Sequence, residues 1–307
     1  MHTAFRFVFA VLVVPMAWSN GIYNFTQVSP SGQAINTNSG AAIDSSGLVA
    51  WTYGNTIQTW NGSTVSTYTP GVTPANVGSN IGLSDAGVVS FTSFDASGTH
   101  GQVYSIPGGT LTSFDYPGQT DTYAGGSSTN GVVAGNYAGN AGFVWSGGVF
   151  TDINYPGTHG QVYTTGVNAA GDVVGFNYCC TLGVSFLDKG GVFTTISVSG
   201  VADNNVLAHN VNNSDVVVGW VDINNIENGF VWQNGVGSIV NYPGATNTII
   251  YGVNSAGVLV GEADFGTYTN GIVFTATLSS QTPEPGTLGL LLGAGALLGT
   301  LRKYRAS

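Results

Sequence analysis

A repeat with a period of about forty residues constrains this chain more than any other feature. The segments 43–50 (IDSSGLVA), 83–90 (LSDAGVVS), 127–135 (SSTNGVVAG), 167–175 (VNAAGDVVG), 211–219 (VNNSDVVVG) and 253–261 (VNSAGVLVG) share one pattern. Aligned on Gly47, Gly87, Gly131, Gly171, Asp215 and Gly257, they are spaced by 40, 44, 40, 44 and 42 residues. Self-similarity at this period is the mark of propellers and stacked arrays.

The third unit shows the grammar. A turn rich in Asn, Ser and Gly leads to an apolar run at 132–137, a second strand at 142–145 (GFVW) and a Gly147-Gly148 hairpin. A third strand at 149–155 (VFTDINY) ends at Pro156-Gly157, and a fourth run at 161–167 leads into the next unit. Short alternating strands joined by Gly and Asn turns form an antiparallel sheet of the kind that serves as one blade. One such sheet cannot cover both of its faces, whereas six arranged around an axis can. The last unit runs out of chain before its sheet is complete, and 21–28 (GIYNFTQV) precedes the first full unit. An N-terminal strand completing the last sheet would seal the ring and remove exposed edges. The expected fold is all-β: a six-bladed propeller of four-stranded antiparallel blades over residues 21–281.

Composition agrees. Gly makes up 47 of 307 residues, charged residues are only 7% and hydrophobic residues 43%, which suits strands and tight turns and supplies enough apolar surface to fold. Of the 15 acidic residues only Glu284 lies outside the body, and of the 5 Lys and Arg only Lys189 lies inside it. So acidic a body is repelled by nucleic acid, whose binding needs clustered cations.

The two ends read as targeting segments. Residues 1–20 run from Arg6 through an apolar stretch, 7–17, to small residues at Ala17 and Ser19, the layout of a secretory signal peptide. Residues 282–307 place Pro283-Glu284-Pro285 before an apolar run, 286–301, and the basic Arg302, Lys303 and Arg305. Sixteen helical residues rise about 24 Å, so the run crosses a bilayer core only with local thinning or snorkelling. The basic cluster keeps its own side cytoplasmic and the body outside. The expectation is a signal helix at the front and a hydrophobic helix at the back.

This tail resembles the PEP-CTERM sorting signal of Gram-negative bacteria, with Pro283, Glu284 and Pro285 as the motif and Arg302, Lys303 and Arg305 as the basic stop. The resemblance implies an exosortase, a membrane-embedded cysteine protease, as partner. It also implies an inner-membrane intermediate on the way to the cell surface or extracellular matrix. An ordinary membrane anchor is the other reading of the same residues. The body resembles the HAF repeats of exported bacterial proteins at 166–176 (GVNAAGDVVGF), 142–157 and 229–244, a resemblance that implies architecture and location but no chemistry.

Candidate sites are few. Tyr116, Tyr155 and Tyr242, each before Pro-Gly, form a set of possible ligand-binding aromatics, while Trp60, Trp145 and Trp232 stand at hairpin starts. Both sets also read as turn and inter-blade packing devices. Cys179 and Cys180 are the only cysteines; a vicinal disulfide, an intermolecular bridge and two free thiols all fit. Asp222, Asn224, Glu227 and Asn228, like Asp203 with Asn204 and Asn205, offer oxygen ligands without the spacing of a calcium loop. His100 and His159 share the hexapeptide THGQVY but at different phases of the repeat. Asp44, Asp85 and Asp172 sit around the repeated turn. No catalytic residue, cofactor or metal is assigned. The expected function is a non-catalytic exported matrix protein that binds exopolysaccharide or other envelope components; a carbohydrate-active propeller enzyme is the alternative.

Overall fold

The computed structural model describes residues 23–29, 40–72, 81–106, 108–137, 141–156, 161–179, 182–266 and 271–279. Both expected terminal helices, with Pro283, Glu284, Pro285, Arg302, Lys303 and Arg305, lie outside these residues. Among the described residues no helix is long and apolar enough to cross a membrane.

The strands form six four-stranded antiparallel sheets. Strand β1 (Tyr23–Gln27) comes first. Blade 1 holds β2 (Ala41–Ile43), β3 (Val49–Tyr53), β4 (Thr56–Trp60) and β5 (Val65–Tyr68). Blade 2 holds β6 (Gly82–Leu83), β7 (Val88–Asp95), β8 (Gly98–Ser105) and β9 (Thr110–Phe114). Blade 3 holds β10 (Thr122–Ser127), β11 (Val133–Tyr137), β12 (Ala141–Ser146) and β13 (Val149–Ile153). Blade 4 holds β14 (Gln161–Val167), β15 (Val173–Cys179), β16 (Leu182–Lys189) and β17 (Val192–Thr195). Blade 5 holds β18 (Val206–Val211), β19 (Val217–Asp222), β20 (Glu227–Gln233) and β21 (Val236–Ile239). Blade 6 holds β22 (Asn247–Val253), β23 (Leu259–Asp264) and β24 (Ile272–Leu278), and β1 completes it, pairing Tyr23 with Leu278 and Gln27 with Phe274. The ring is therefore closed as expected.

One boundary differs from the sequence reading. The run 161–167 opens blade 4 rather than ending blade 3, because the strand before the repeated Asn/Ser/Gly turn pairs with the strand after it. The turn is thus the first hairpin inside each blade. First strands touch from one blade to the next, and β22 touches β2, so they surround the axis.

Each blade buries one large ring at its centre by a compensated exchange. Gly135, Gly175, Gly219 and Gly261 on second strands face Phe143, Phe186, Phe230 and Phe274 on third strands. In blades 1 and 2 the ring moves to the second strand, as Trp51 opposite Gln58 and Phe91 opposite Gln102. All six rings are essentially inaccessible to solvent. A Cβ at Gly135 or Gly261 would strike the facing phenylalanine ring, so glycine here is the vacancy that the ring fills. Gln102 satisfies its buried amide with Ser93 and Ser113, each at 2.9 Å.

The repeated turn is held by its first residue. Asn254 Oδ1 accepts from the Ala256 and Val258 backbone N–H groups, both at 3.0 Å, and Asn168, Asn212 and Asp44 do the same in their blades. The carboxamide NH₂ groups then link blades: Asn168 donates to the Asn212 carbonyl at 3.2 Å, Asn212 to Asn254 at 2.9 Å and Asn254 to Asp44 at 3.1 Å. Asp85 continues the chain, accepting from Ser45 N and donating its own N–H to the Thr129 carbonyl, each at 2.9 Å. This girdle surrounds a narrow cleft of about 20 Å³ at one mouth of the axis, lined from every blade and including Ile43, Leu83, Ser127, Val167, Val211 and Val253.

Candidate functional site on the loop-bearing face

Antiparallel order sorts the connections by face. The girdle turns and the hairpins joining third to fourth strands lie on one face, called here the short-turn face. Hairpins joining second to third strands, and the connections between blades, lie on the other, called the loop face.

The loop face carries exposed rings. Phe94 at the end of β7 is 60% exposed, Tyr178 near the end of β15 is 58% exposed and Phe265 just after β23 is 44% exposed. They occupy the outer ends of the same hairpin in blades 2, 4 and 6. Tyr178 extends a stripe, since Tyr163 stacks on Phe176 at 4.9 Å and strand alternation puts Tyr178 on the same side as Phe176. The Tyr163 hydroxyl donates to Gln161 Oε1 at 2.6 Å. Carboxylates share this face: Asp95, Asp115, Asp121 and Asp152 on blades 2 and 3, and Asp203, Asp222, Glu227 and Asp264 on blades 5 and 6 all fall at loop-face strand ends or connections. Lys189, at the end of β16, lies on the other face and pairs there with Asp215 at 2.7 Å.

On blade 2 His100 is bracketed by acids. Its Nδ1 lies 2.9 Å from Asp115 Oδ1, and its Nε2 lies 3.2 Å from Asp95 Oδ1 and 3.1 Å from Ser97 Oγ. Ser97, His100 and Asp115 thus have the distances of a nucleophile triad, but not its protonation. The Ser97 hydroxyl donates to Asp95 at 2.5 Å. Asp115 first, then Asp95, raise the His100 pKa toward the charged form, which cannot accept a serine proton. Asp95 is held down at about 2, chiefly by the Ser97 hydroxyl and backbone N–H. The cluster is an ion-paired brace for the long β7–β8 hairpin.

A second acidic group sits in blades 5 and 6. Glu262, inside β23, is buried, and burial, reinforced by the charges of Asp264 and Glu227, pushes its carboxyl up to about 8. Burial similarly pushes Glu227 up. Asn247 links the group, donating to Asp264 Oδ2 at 3.4 Å while its Oδ1 accepts the Glu227 N–H at 3.1 Å. Among the described residues no three His, Cys, Asp or Glu side chains gather to hold a metal ion.

The residues singled out by sequence fall as follows. Tyr116 reaches into blade 3, stacking on Tyr137 at 3.7 Å and meeting Phe150 edge-on at 5.0 Å, and its hydroxyl donates to Asp152 at 2.8 Å. Tyr155 packs on Phe186 and Phe193 of blade 4 at 5.2 and 5.0 Å, and Tyr242 on Phe274 and Phe25 of blade 6, both at 5.2 Å. Each corner tyrosine therefore touches the central ring of the following blade. Where Val198 replaces it, Gly237 opens the space that Val198 enters. Trp145 stacks on Phe114 of blade 2 at 4.3 Å, Trp232 is buried against blade 4, and Trp60 packs beside Trp51 and Val28, all toward the short-turn face. Asp222 Oδ1 accepts from Asn225 N at 2.9 Å in a hairpin turn whose Asn224 and Asn225 are left-handed, and Asp203–Asn205 forms a 3-10 turn. Cys179 ends β15 opposite Leu182; Cys180 and His159 lie outside the described residues.

Sequence reasoning missed Phe94, Tyr178, Phe265 and Glu262. Glu262 was visible as a carboxylate inside the apolar run 258–265 (VLVGEADF). The exposed rings carried no such signal, because a ring at a strand end looks alike whether it turns inward or outward.

Together these features define a six-bladed β-propeller with an acidic, ring-bearing loop face. No protein-family model and no curated protein matches the chain. Solved structures do. A streptogramin B lyase aligns over 84% of this chain and 98% of its own, with a TM-score of 0.50 and 10% identity. The PQQ-bound aldose sugar dehydrogenase of Streptomyces coelicolor aligns over 83% and 98%, at 0.50 and 11%. Virginiamycin B lyase of Staphylococcus aureus aligns over 84% and 100%, at 0.49 and 11%. At such identity the likeness to the first two shows the fold alone.

Proposed function

We propose that this chain is an exported, exosortase-sorted surface or matrix protein whose propeller binds a polysaccharide of the cell envelope through its loop face. The observation that carries the reading is the exposure of Phe94, Tyr178 and Phe265 at corresponding hairpin ends of the carboxylate-bearing face. Exposed rings grouped with polar groups mark interaction surfaces, and a flat ring beside hydrogen-bond acceptors suits a pyranose, whose C–H face is apolar and whose edge is hydroxyl-rich. The leader and tail in the sequence support export and sorting.

The test is a glycan array probed with the protein and with a Phe94→Ala, Tyr178→Ala, Phe265→Ala variant. Loss of at least about tenfold in affinity, matching 0.5–1.5 kcal/mol per ring, is expected with unchanged circular dichroism. Equal binding by the two proteins would refute the reading.

One observation favours an enzyme instead: Glu262, held protonated at neutral pH, has the poise of a general acid. Polysaccharide turnover abolished by Glu262→Gln, with binding retained, would select that alternative.

A further inference from the structure

The register of the closing sheet puts both chain ends in one place. Tyr23 pairs with Leu278, so the leader side of β1 and the tail side of β24 leave the outer edge of blade 6 together. Strand β24 runs from the loop face to the short-turn face, because it is a third strand and third-to-fourth hairpins lie on that side. The tail therefore departs from the short-turn face.

The leash is short. The apolar run of the tail begins at residue 286, and residues 279–285 reach at most about 25 Å when fully extended. Strand β24 has 7 residues and rises about 23 Å. To lay the loop face on a bilayer, the leash would have to run back along the whole length of β24, leaving nothing for the turn underneath. Exposed apolar side chains do not decide the matter, since Val149 and Val192 stand out on the short-turn face as Phe94 and Phe265 do on the loop face. Chain length decides it.

We infer that the membrane-tethered protein stands with its short-turn face against the lipid surface and its loop face outward. Val65, Val149, Val192 and Val236, each opening a fourth strand at the rim of the short-turn face, are then the side chains nearest the bilayer. The acidic loop face is kept clear of the headgroups and open to polymer. This placement rests on the reading that the tail enters the membrane.

The test uses the full chain in phosphatidylcholine vesicles. With Cys179 and Cys180 changed to serine, a fluorophore is placed at Val192→Cys on the short-turn rim or at Gln119→Cys on the loop face, and quenched by a nitroxide headgroup lipid. At least about twofold stronger quenching at position 192 is expected. Equal or reversed quenching in a protein that sediments with the vesicles overturns the orientation and leaves the tail reading intact. A protein that does not sediment with them overturns both. Hydrogen exchange on the unaltered chain gives an independent readout: vesicles should slow the 61–64, 147–148 and 190–191 turns relative to detergent, and slowing confined to 95–98 and 223–226 overturns the placement.

Discussion

Glu262→Gln should change how stability depends on pH, and in a stated direction. The folded protein holds this carboxyl at about 8 against an ordinary 4.5, with burial as the first cause. A carboxyl raised by folding stays protonated in the native state while the unfolded chain ionises. Unfolding then releases a proton, and stability falls as pH rises between the two values. The slope is about 1.4 kcal/mol per pH unit, so the loss is about 3 kcal/mol at pH 7 and about 5 kcal/mol above pH 8. Glutamine keeps the shape and removes the titration, at a cost of about 1 kcal/mol for altering the hydrogen bond that Glu262 shares with Tyr251. Urea unfolding followed by tryptophan fluorescence at pH 5, 7 and 9 should find the variant equal or slightly weaker at pH 5 and more stable by several kcal/mol at pH 9. A variant-minus-wild-type difference that is constant across these pH values would refute the reasoning.

Gly219→Ala should cost about 1–3 kcal/mol in urea unfolding, because its Cβ falls on the Leu207 carbonyl oxygen and the Phe230 ring. Phe143→Ala, which empties the centre of blade 3, should cost about 3–5 kcal/mol by the same measurement. Asn254→Ala removes two turn bonds and the link to blade 1, and should lower stability by about 1–3 kcal/mol, where an exposed Asn to Ala change such as Asn55→Ala does little. His100 should titrate above 6.5 by NMR, and Asp115→Asn should lower its midpoint more than Asp95→Asn, since the Asp115 bond is the larger cause.

The architecture was legible because its cause is periodic. A turn residue that must cap Asn254-like hairpins, followed by a Val-rich run, recurs at every blade, and edge avoidance assigns 21–28 to the last sheet. Phase is harder to read: a strand before a turn and a strand after it look alike in one dimension, and only the pairing of 161–167 with β15 assigns that run to blade 4. The corner tyrosines show a related limit. Their residue type suits stacking on a sugar or on a neighbour, and only the approach of blades 3, 4 and 6 supplied Phe150, Phe193 and Phe25 as partners.

By itself the sequence determined the repeat, the closed ring and the charge of the body, since these follow from local pattern and from counting. The tertiary structure alone decided which side each group faces. The exchange of Gly–Phe for Trp–Gln, the burial that lifts Glu262, the outward turn of Phe94 and the ending of β24 at the short-turn face all depend on which strand lies beside which. Such juxtapositions join residues far apart in the chain, and no local spacing encodes them.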